Sequence, residues 1–393
     1  MKVYTLSLSL FCAILIFSCK KDKIEELPIA DSEILSNIEY SPTPYVINYP
    51  RNLTTMYIPE ENPLTQAGVK LGRLLFHDKI LSGDSSMSCA SCHNMQKAFT
   101  DGKPTAVGIA GIASNRNSMS LLNIGYFISP YNQNNLNWDG AFKTLEEQVL
   151  APVEHPLELN ADWTNIVEKF KVHAHYPILF RKAFGINTKN EISKELAAKA
   201  LAQYLRTLVS AGSLYDRATT GEPFVYLPEA AQRGRKIFFG DADPSFILTG
   251  KDGECAHCHS ASNGRALFAS NTFFNNGLDA PENMSDLGLG GIINDDRRNG
   301  LFRAVTVRNI ALTAPYMHDG RFNTLEEVIE HYVSGVHPAP NLASELRTAR
   351  DLPNLTSDEK EDIIAFLHTL TDTSYYHNVH FQNPFEVEAN PWQ

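Results

Sequence analysis

Two copies of one pattern, Cys-x-x-Cys-His, hold the residues of this sequence that are best placed to do chemistry. The first copy reads CASCH at residues 89–93, and the second reads CAHCH at residues 255–259. Thiols at this spacing could bind zinc, act as a redox pair, or add to the vinyl groups of a haem. Only the third chemistry uses the adjacent histidine, which becomes an axial ligand of the haem iron.

The two histidines decide between these chemistries. A zinc site built from both motifs would leave both histidines unexplained, and a redox pair needs neither of them. The pattern therefore predicts two covalently bound c-type haems. The predicted attachment and ligand residues are Cys89, Cys92 and His93 for the first haem and Cys255, Cys258 and His259 for the second.

The two remaining cysteines, Cys12 and Cys19, lie in or at the end of an apolar N-terminal stretch. This stretch is too short to span a membrane and is followed by the polar run KKDK, which favours an export signal. Its last four residues, IFSC, resemble the bacterial lipoprotein cleavage box. We expect residues 1–18 to be a lipoprotein signal peptide, Cys19 to carry a lipid anchor, and the protein to face the periplasm. An ordinary secretory signal with an incidental Cys19 is the alternative.

The composition allows one large or two ordinary domains, since 43% of the 393 residues are hydrophobic. The net charge of -11 argues against nucleic acid as a partner and leaves a basic soluble partner as an option. Residues 19–50 contain few periodic apolar positions and are predicted to form a tether. No later segment is long and apolar enough to span a membrane.

The two halves of the chain repeat more than the haem motifs. DGAFKTLEE at 139–147 is matched by DGRFNTLEE at 319–327, and GRLLF at 72–76 is matched by GRKIF at 234–238. This repetition predicts an internal duplication. Because helical periodicity dominates and alternating strand patterns are sparse, we expect a mainly α fold with two cytochrome c-like haem domains.

Helix signals set the predicted domain limits. The stretch from Ser193 to Gly212 reads as a long helix that joins the halves, which places the boundary near residues 215–228. The predicted domains are residues 51–220 and residues 221–393. A threonine followed three residues later by glutamate, the pattern of a capping box, begins an apolar-periodic run at three places. The pairs are Thr144 with Glu147, Thr324 with Glu327, and Thr356 with Glu359.

The sixth coordination position of each iron separates an electron carrier from an enzyme. A carrier fills both axial positions, whereas an enzyme that handles a small oxidant leaves one open beside an acid or a base. After His93 the next histidine is His155. Met95 is too close to the motif to cross the ring, and Met119 lies in an apolar run that is typical of core. We therefore expect the first haem to be open.

A tyrosine on the repeated helix is a candidate ligand for the second haem. Tyr332 shares the inward face of this helix with four apolar residues at helical spacing. A buried tyrosine is more often part of the core, with its hydroxyl hydrogen-bonded. Met317 and His331 are rival ligands. The four apolar residues are Leu325, Val328, Ile329 and Val333.

Taken together, these motifs resemble the bacterial diheme cytochrome c peroxidase and MauG family over most of residues 55–375. The matching stretches are LGRLLFHDKILSGDSSMSCASCH, AFTDG, RNSMSLLN, NWDGAFKTLEEQVLAPVEHPLEL and RNIALTAPYMHDGRFNTLEEVIEHY. The resemblance implies that the N-terminal haem binds and cleaves peroxide, while the C-terminal haem relays or stores electrons.

The resemblance also implies a path and an ion between the two haems. Trp138 matches a tryptophan that lies between them, although it could also be plain core. A calcium ion between the domains would be bound by the side chain of Asn117 and the backbone carbonyls of Thr313 and Pro315. His318 occupies the position of Trp138 in the second copy and matches a family histidine near the second haem, with a role that stays open.

Glu158 matches the distal acid-base glutamate of the family, and Gln148 matches a nearby glutamine. A carboxylate above the open face of a haem can take a proton from one peroxide oxygen and deliver it to the other. Glu154 and His155 are rivals by sequence position, since any one acidic residue is more often a solvated surface charge. The alignment of PVEHPLEL favours Glu158.

Two features set this chain apart from many members of the family. The loop AVGIAGIASNRN lacks the histidine that caps the peroxidatic iron in those members. Tyr332 stands where they have a methionine, as in the MauG-like branch, so the resemblance favours Tyr332 as a ligand. A phenolate favours ferric iron, whereas methionine favours ferrous iron. We therefore expect a low potential at the second haem and a ferric enzyme that reacts with peroxide without prior reduction.

The sequence thus predicts an enzyme that reduces hydrogen peroxide to water with electrons from a small redox protein, either a cytochrome c or a cupredoxin. A quinol-linked donor is a further option. The alternatives are a MauG-type oxidase that acts on a protein substrate and a non-catalytic diheme electron-transfer cytochrome. The identity of the donor, the membrane that carries the anchor, and the formation of a homodimer stay open.

Overall fold

The computed structural model describes residues 33–128, 136–240, 253, 255–261, 266–348 and 354–392. The predicted signal peptide and Cys19 lie outside the described residues. Over the described ranges the fold is mainly helical, as the sequence predicts, with one antiparallel two-stranded sheet. No helix within these ranges is long and apolar enough to cross a membrane.

The elements follow one another along the chain in two groups. The helices of the first half are α1 (Gln66–His77), α2 (Cys89–Cys92), α3 (Leu145–Gln148), α4 (Ala151–Glu154), α5 (Trp163–Val172), α6 (Tyr176–Phe184), α7 (Lys194–Thr207) and α8 (Leu214–Thr219). Those of the second half are α9 (Glu229–Phe239), α10 (Cys255–Cys258), α11 (Leu289–Ile293), α12 (Leu325–Glu330), α13 (Ser344–Thr348), α14 (Ser357–His368) and α15 (Pro384–Val387). Strand β1 (Phe273–Phe274) pairs with β2 (Phe302–Arg303), and a π-helical turn, His331–Gly335, continues α12.

Close packing of α1 on α7 forms the centre of the first half. Thr65 begins α1, and its side chain accepts a hydrogen bond from the Gly68 backbone. Gly72 lies against the backbone carbonyl of Ala200 on α7, where a side chain would collide. The two helices can approach so closely only because position 72 has no Cβ.

The second half repeats this arrangement with α9 and α14. Gly234 on α9 lies against the backbone carbonyl of Asp362 on α14. The Asp362 carboxylate also accepts two hydrogen bonds from Arg233, each of 2.7 Å. Phe366 on α14 is fully buried among the apolar residues of this half. The glycines of GRLLF and GRKIF therefore occupy equivalent helix contacts in the two halves.

The two copies of the DGxFxTLEE segment also have the same local structure. Each contains an antiparallel bridge followed by a threonine N-cap with φ -129° and ψ 158°. The predicted capping boxes are confirmed at Thr324 and Thr356. At Thr144 only the N-cap bond forms, because the Glu147 carboxylate accepts from the Lys143 backbone instead of the Thr144 backbone. The bridged pairs are Leu136 with Phe142 and Tyr316 with Phe322.

The predicted long helix over residues 193–212 is wrong in its second part, because α7 ends at Thr207. Side chains from distant segments form hydrogen bonds with the backbone groups that follow Thr207. Asn123 exchanges hydrogen bonds of 2.8 and 2.9 Å with the backbone of Ser210, and Asp372 accepts one of 2.9 Å from Gly212. These bonds satisfy groups that a longer helix would have paired internally, so the chain can leave the helix at no cost in hydrogen bonds.

The predicted tether is wrong for residues 33–50, because these residues pack on the first half. Leu35 is completely buried in the first core, and its N–H group donates to the carbonyl of Asn187 at 2.7 Å. Tyr45 donates from its backbone to the carbonyl of Leu64 at 3.0 Å. This segment is therefore part of the globular structure.

The C-terminal segment, residues 374–392, returns to the first half, although the sequence analysis assigned it to the second domain. Arg73 on α1 pairs with Glu388 and donates hydrogen bonds of 2.6 and 2.9 Å to the backbone carbonyls of Val379 and Gln382. Phe381 is buried in the first core. A largely buried arginine thus binds several acceptors of the C-terminal segment and anchors this segment to the first half.

Replacing Gly234 by alanine tests the close contact of α9 with α14. The added methyl group would collide with the Asp362 carbonyl, so the free energy of unfolding should fall by roughly 1–3 kcal/mol. Denaturant unfolding of the holoprotein measures this change. Gly291→Ala is the control, because its new methyl group would meet only a Leu287 side-chain carbon at 3.3 Å. An equal loss of stability in both variants would contradict the proposed role of Gly234.

Candidate functional site

The first Cys-x-x-Cys-His motif forms a short helix that ends in a precisely oriented histidine. Cys89–Cys92 is α2, and the side chains of Ser88 and Ser91 cap it reciprocally. Nδ1 of His93 lies 2.9 Å from the carbonyl oxygen of Phe99. A carbonyl can only accept a hydrogen bond, so Nδ1 carries the proton and Nε2 keeps its lone pair for a metal. Burial lowers the pKa of the His93 imidazole, which also favours the neutral ligand form.

The second motif has the same arrangement. Cys255–Cys258 is helical, and Nδ1 of His259 lies 2.9 Å from the carbonyl oxygen of Val305. Burial lowers the pKa of this imidazole as well. None of the four motif cysteines forms a disulfide among the described residues. The donor sets of both motifs therefore fit a haem that is attached through two thioethers and bound through Nε2 of the histidine.

A large cavity, here called the second cavity, surrounds the second motif. Its empty volume, including the part open to solvent, is about 1770 Å³. Cys255, Cys258 and His259 line it together with apolar residues from α9, α12 and α14. Residues of the first half, among them Trp138, form part of its wall. The cavity thus lies at the junction of the two halves.

Tyr332 faces the second cavity, as the helical spacing predicts. Burial raises the pKa of its phenol to about 12, and an interaction with the Asn276 side chain partly offsets this rise. His331 is disposed differently, because its Nε2 lies 3.1 Å from the carbonyl oxygen of Asn276. Met317 also lines the cavity, and its sulfur lies 3.7 Å from the Asn276 amide nitrogen. The geometry therefore favours Tyr332 and Met317 over His331 as neighbours of a second haem.

Met119 and Met95, the methionines considered as ligands of the first haem, lie in different surroundings. Met119 lines the second cavity. Met95 follows the motif in a short helical turn and packs against the first hydrophobic core. The open position at the first haem stays a prediction.

Trp138 connects the two halves through backbone groups. Its indole Nε1 donates to the carbonyl of Asn117 at 2.9 Å, and its own carbonyl accepts from the Arg303 backbone at 2.9 Å. The backbone N–H of Asn117 donates in turn to the carbonyl of His318 at 2.7 Å. The His318 ring stacks on Phe302 with 3.8 Å between ring centroids. Trp138 and His318 therefore both lie beside the second cavity, which both line.

The three residues of the predicted calcium site face the same cavity. Asn117, Thr313 and Pro315 all line it. The Asn117 amide nitrogen donates to the carbonyl of Lys103 at 2.7 Å, so the amide oxygen is the atom left for a cation. In the described part of the chain, no group of three or more histidine, cysteine, aspartate or glutamate side chains could hold a metal ion. The calcium site stays a prediction built on amide and carbonyl oxygens.

Glu158 lies near the first motif, where its charge would raise the pKa of the Cys89 and Cys92 thiols. Its side chain is 38% exposed, and the carboxylate oxygen lies 3.6 Å from Nδ1 of His155. Burial raises the pKa of the Glu158 carboxyl, and the charge of His155 partly offsets the rise. A carboxyl with a raised pKa can exchange a proton nearer neutral pH than an ordinary glutamate. Glu154, by contrast, is exposed.

The loop that lacks a histidine supports the backbone of Glu158. The carbonyl of Glu158 accepts a hydrogen bond of 2.9 Å from Ile109, and Gly108 is packed directly against the same residue. Gln148 is the last residue of α3, with a half-buried side chain. Glu158, the loop and the first motif are thus neighbours, whereas Gln148 stays a candidate from the resemblance alone.

Two neighbours of the motifs received no role from the sequence. Asn276 contacts Tyr332, His331 and Met317, yet nothing in its local sequence distinguishes it. Asp101 is 6% exposed, and its Oδ2 has no hydrogen-bond partner among the described residues. Its charge acts on His93 and Cys92. The sequence contained Asp101 within AFTDG, but only the fold shows how closely it approaches the first motif.

Comparisons with known proteins agree with this geometry. The family described as Di-haem cytochrome c peroxidase matches residues 66–223. The methylamine utilization protein MauG of Methylorubrum extorquens is 34% identical over 314 residues, which cover 79% of this chain and 80% of that protein. Cytochrome c551 peroxidase of Nitrosomonas europaea is 30% identical over 305 residues, covering 77% of this chain and 79% of that protein.

Solved structures give the same assignment. A MauG-like protein associated with microbial copper homeostasis superposes with a TM-score of 0.72 at 33% identity, covering 87% of this chain and 99% of that structure. The diheme peroxidase BthA of Burkholderia thailandensis, at 22% identity, shares the fold with a TM-score of 0.65, over 85% of this chain and 92% of that structure. Because the haem motifs, the cavity and relatives of this coverage agree, the chain belongs to the diheme cytochrome c peroxidase and MauG family of oxidoreductases, a family whose members carry two c-type haems.

Proposed function

We propose that this protein reduces hydrogen peroxide to water at the first haem, with electrons that a small redox protein delivers through the second haem. The observation that carries the proposal is the position of Glu158, a carboxyl with a raised pKa beside the first motif. It is supported by the side chain of Met95, which packs against the first hydrophobic core, and by Met119, which lines the second cavity. The donor is proposed to be a cytochrome c or a cupredoxin.

The protein residues have separable roles in this reaction. The overall change consumes one hydrogen peroxide, two electrons and two protons and releases two water molecules. A bound haem supplies the iron that holds peroxide and passes electrons to it. The Glu158 carboxylate accepts the proton of the nearer peroxide oxygen and returns it to the departing oxygen. The charge of His155, 3.6 Å away, partly offsets the raised pKa of this carboxyl.

Trp138 and Tyr332 are proposed to serve the electron path. The indole of Trp138 is fixed by the Asn117 carbonyl at the wall of the second cavity, on the side that faces the first half. Tyr332 and His259 would together hold the second haem. The buried phenol would release its proton to solvent on binding iron, because coordination by a metal compensates the charge that burial disfavours.

Further assignments complete the proposal. The matched helix contacts and matched DGxFxTLEE segments support an origin by internal duplication. We also propose that the protein is exported to the periplasm and is anchored there by a lipid at Cys19. One calcium ion is proposed to be bound by Asn117, Thr313 and Pro315. The formation of a homodimer stays open. The Asn117 side chain next to the Trp138 hydrogen bond supports a calcium ion that stiffens the path between the haems.

A MauG-type oxidase acting on a protein substrate is the second candidate. The observation that favours it is Tyr332 in the second cavity, together with the 34% identity to MauG of Methylorubrum extorquens. Both candidates use the same site, and they differ in the electron source. Steady turnover of peroxide with a reduced small redox protein supports the peroxidase, whereas turnover only with a protein substrate that becomes covalently modified supports the oxidase.

Replacing Glu158 by glutamine should slow the reduction of peroxide by about 10²–10⁴-fold, because glutamine cannot shuttle the proton. Peroxide consumption after rapid mixing with the oxidised protein measures the rate. Glu154→Gln is the matched control, since Glu154 is exposed and lies on the same short segment. Both haems should stay attached in both variants. An unchanged rate in Glu158→Gln would transfer the role to Glu154 or His155.

Replacing Tyr332 by methionine should raise the reduction potential of the second haem, because a thioether favours ferrous iron and a phenolate favours ferric iron. The rise should be a sizeable part of the roughly 0.8 V range that axial ligands span. A spectroscopic redox titration measures it, with Met317→Leu as the control for the other cavity residue. An unchanged potential in Tyr332→Met would exclude Tyr332 as the ligand. In the parent protein, a ferric form that reacts with peroxide only after reduction would contradict the open first site.

Removal of calcium should slow electron transfer between the haems without releasing either haem, since thioethers hold them. Chelation followed by gel filtration, metal analysis and measurement of transfer from the second haem tests this. Readdition of calcium should restore the rate, and Asn117→Leu should abolish the restoration. Full activity in protein shown to be metal-free would count against the site formed by Asn117, Thr313 and Pro315.

A further inference from the structure

Arg303 is a buried cation on the wall of the second cavity. It is 4% exposed, and its Nη1 atom has no hydrogen-bond partner among the described residues. Burial alone lowers the pKa of its guanidinium to about 10, with no carboxylate acting against this shift. An arginine at that pKa still carries its charge at neutral pH. A buried charge without a compensating partner is unfavourable, so an anion in the cavity would stabilise this arrangement.

The position of Arg303 is fixed from three sides. It belongs to β2, where Arg303 pairs with Phe273 of β1. Its backbone N–H donates to the carbonyl of Trp138 at 2.9 Å. Its guanidinium carbon lies 4.3 Å from the ring centroid of Phe127, a buried residue of the first half. The guanidinium is thus held at the cavity wall before any ligand binds, which reduces the entropy that binding costs.

The other arginine of the cavity cannot take the same role. Arg308 also lines the second cavity, but it pairs with the buried Asp216 and donates to the carbonyl of Ala266 at 2.7 Å. Its charge is therefore compensated inside the protein. Among the described residues that line the cavity, Arg303 is the arginine whose charge has no carboxylate beside it.

We propose that Arg303 binds a carboxylate of the haem that is attached to Cys255 and Cys258, and that this pairing raises the reduction potential of that haem. This inference rests on the second haem of the proposed function. It adds Arg303 as the residue that would hold the propionate groups of this haem at the cavity wall beside Trp138. A planar guanidinium can donate two parallel hydrogen bonds to one carboxylate, which fixes the orientation of that carboxylate. A fixed cation near the iron stabilises the ferrous form, because reduction removes one positive charge from the site.

Redox titration of purified diheme protein tests the proposal with three variants. Arg303→Gln removes the charge and should change the equilibrium constant for one-electron reduction of the second haem about tenfold, which lowers the potential by about 59 mV. Arg303→Lys keeps the charge and should retain most of the parent potential. Arg297→Gln removes a charge from a side chain that is 89% exposed and should leave both potentials unchanged. The first haem should keep its potential in all variants.

Haem content and mass are measured first, because they distinguish failure of the proposed function from failure of the Arg303 inference alone. A parent protein with fewer than two haems would overturn the proposed function and this inference with it. Two attached haems with an unchanged second potential in Arg303→Gln would overturn this inference alone. So would an equal loss of potential in Arg303→Lys and Arg303→Gln, or an equal shift of the potential in Arg297→Gln. A selective fall in Arg303→Gln with recovery in Arg303→Lys establishes the pairing.

Discussion

The hydrogen bond from each motif histidine to a backbone carbonyl is the constraint on which the rest of this structure depends. It fixes which ring nitrogen can bind a metal and how the imidazole plane is oriented. At the first motif, the acceptor belongs to Phe99, which has φ 59°, a conformation that needs tertiary support. Phe99 has that support because it is completely buried against Phe76 of α1 and Tyr375 of the C-terminal segment. The packing of α1 on α7 therefore supports, through Phe76 and Phe99, the orientation of His93.

A buried polar network holds the two halves in one arrangement. Ser210, just after α7, bonds to Asn123 through its backbone, and its hydroxyl donates to Asp372 at 2.8 Å and accepts from Asn309 at 3.0 Å. Asn309 in turn accepts from the Asp372 backbone at 2.7 Å. Each side-chain group in this set has a partner, so the network favours a single geometry rather than several. Because Ser210 belongs to the first half and Asn309 and Asp372 to the second, the network joins the two halves.

The sequence predicted the features that are encoded locally. The haem motifs, the helix caps at Thr144, Thr324 and Thr356, and the inward face of Tyr332 all follow from short-range spacing. It failed where distant partners decide the conformation. The end of α7 at Thr207 depends on Asn123 and Asp372, and the return of the C-terminal segment depends on Arg73. Arg303 was missed for the same reason, since its isolation from carboxylates exists only in the folded chain.

The repeated scaffold carries two chemically different sites because the side chains around equivalent backbone positions differ. Trp138 of the first copy is replaced by His318 of the second, and both border the same cavity. The first motif lies near a partly exposed carboxyl, Glu158, which suits proton exchange with solvent. The second lies in a largely apolar cavity that is partly open to solvent, beside a buried phenol and a buried guanidinium. The proposed division of labour between proton chemistry and electron storage therefore requires no difference in fold, only different side chains around the two motifs.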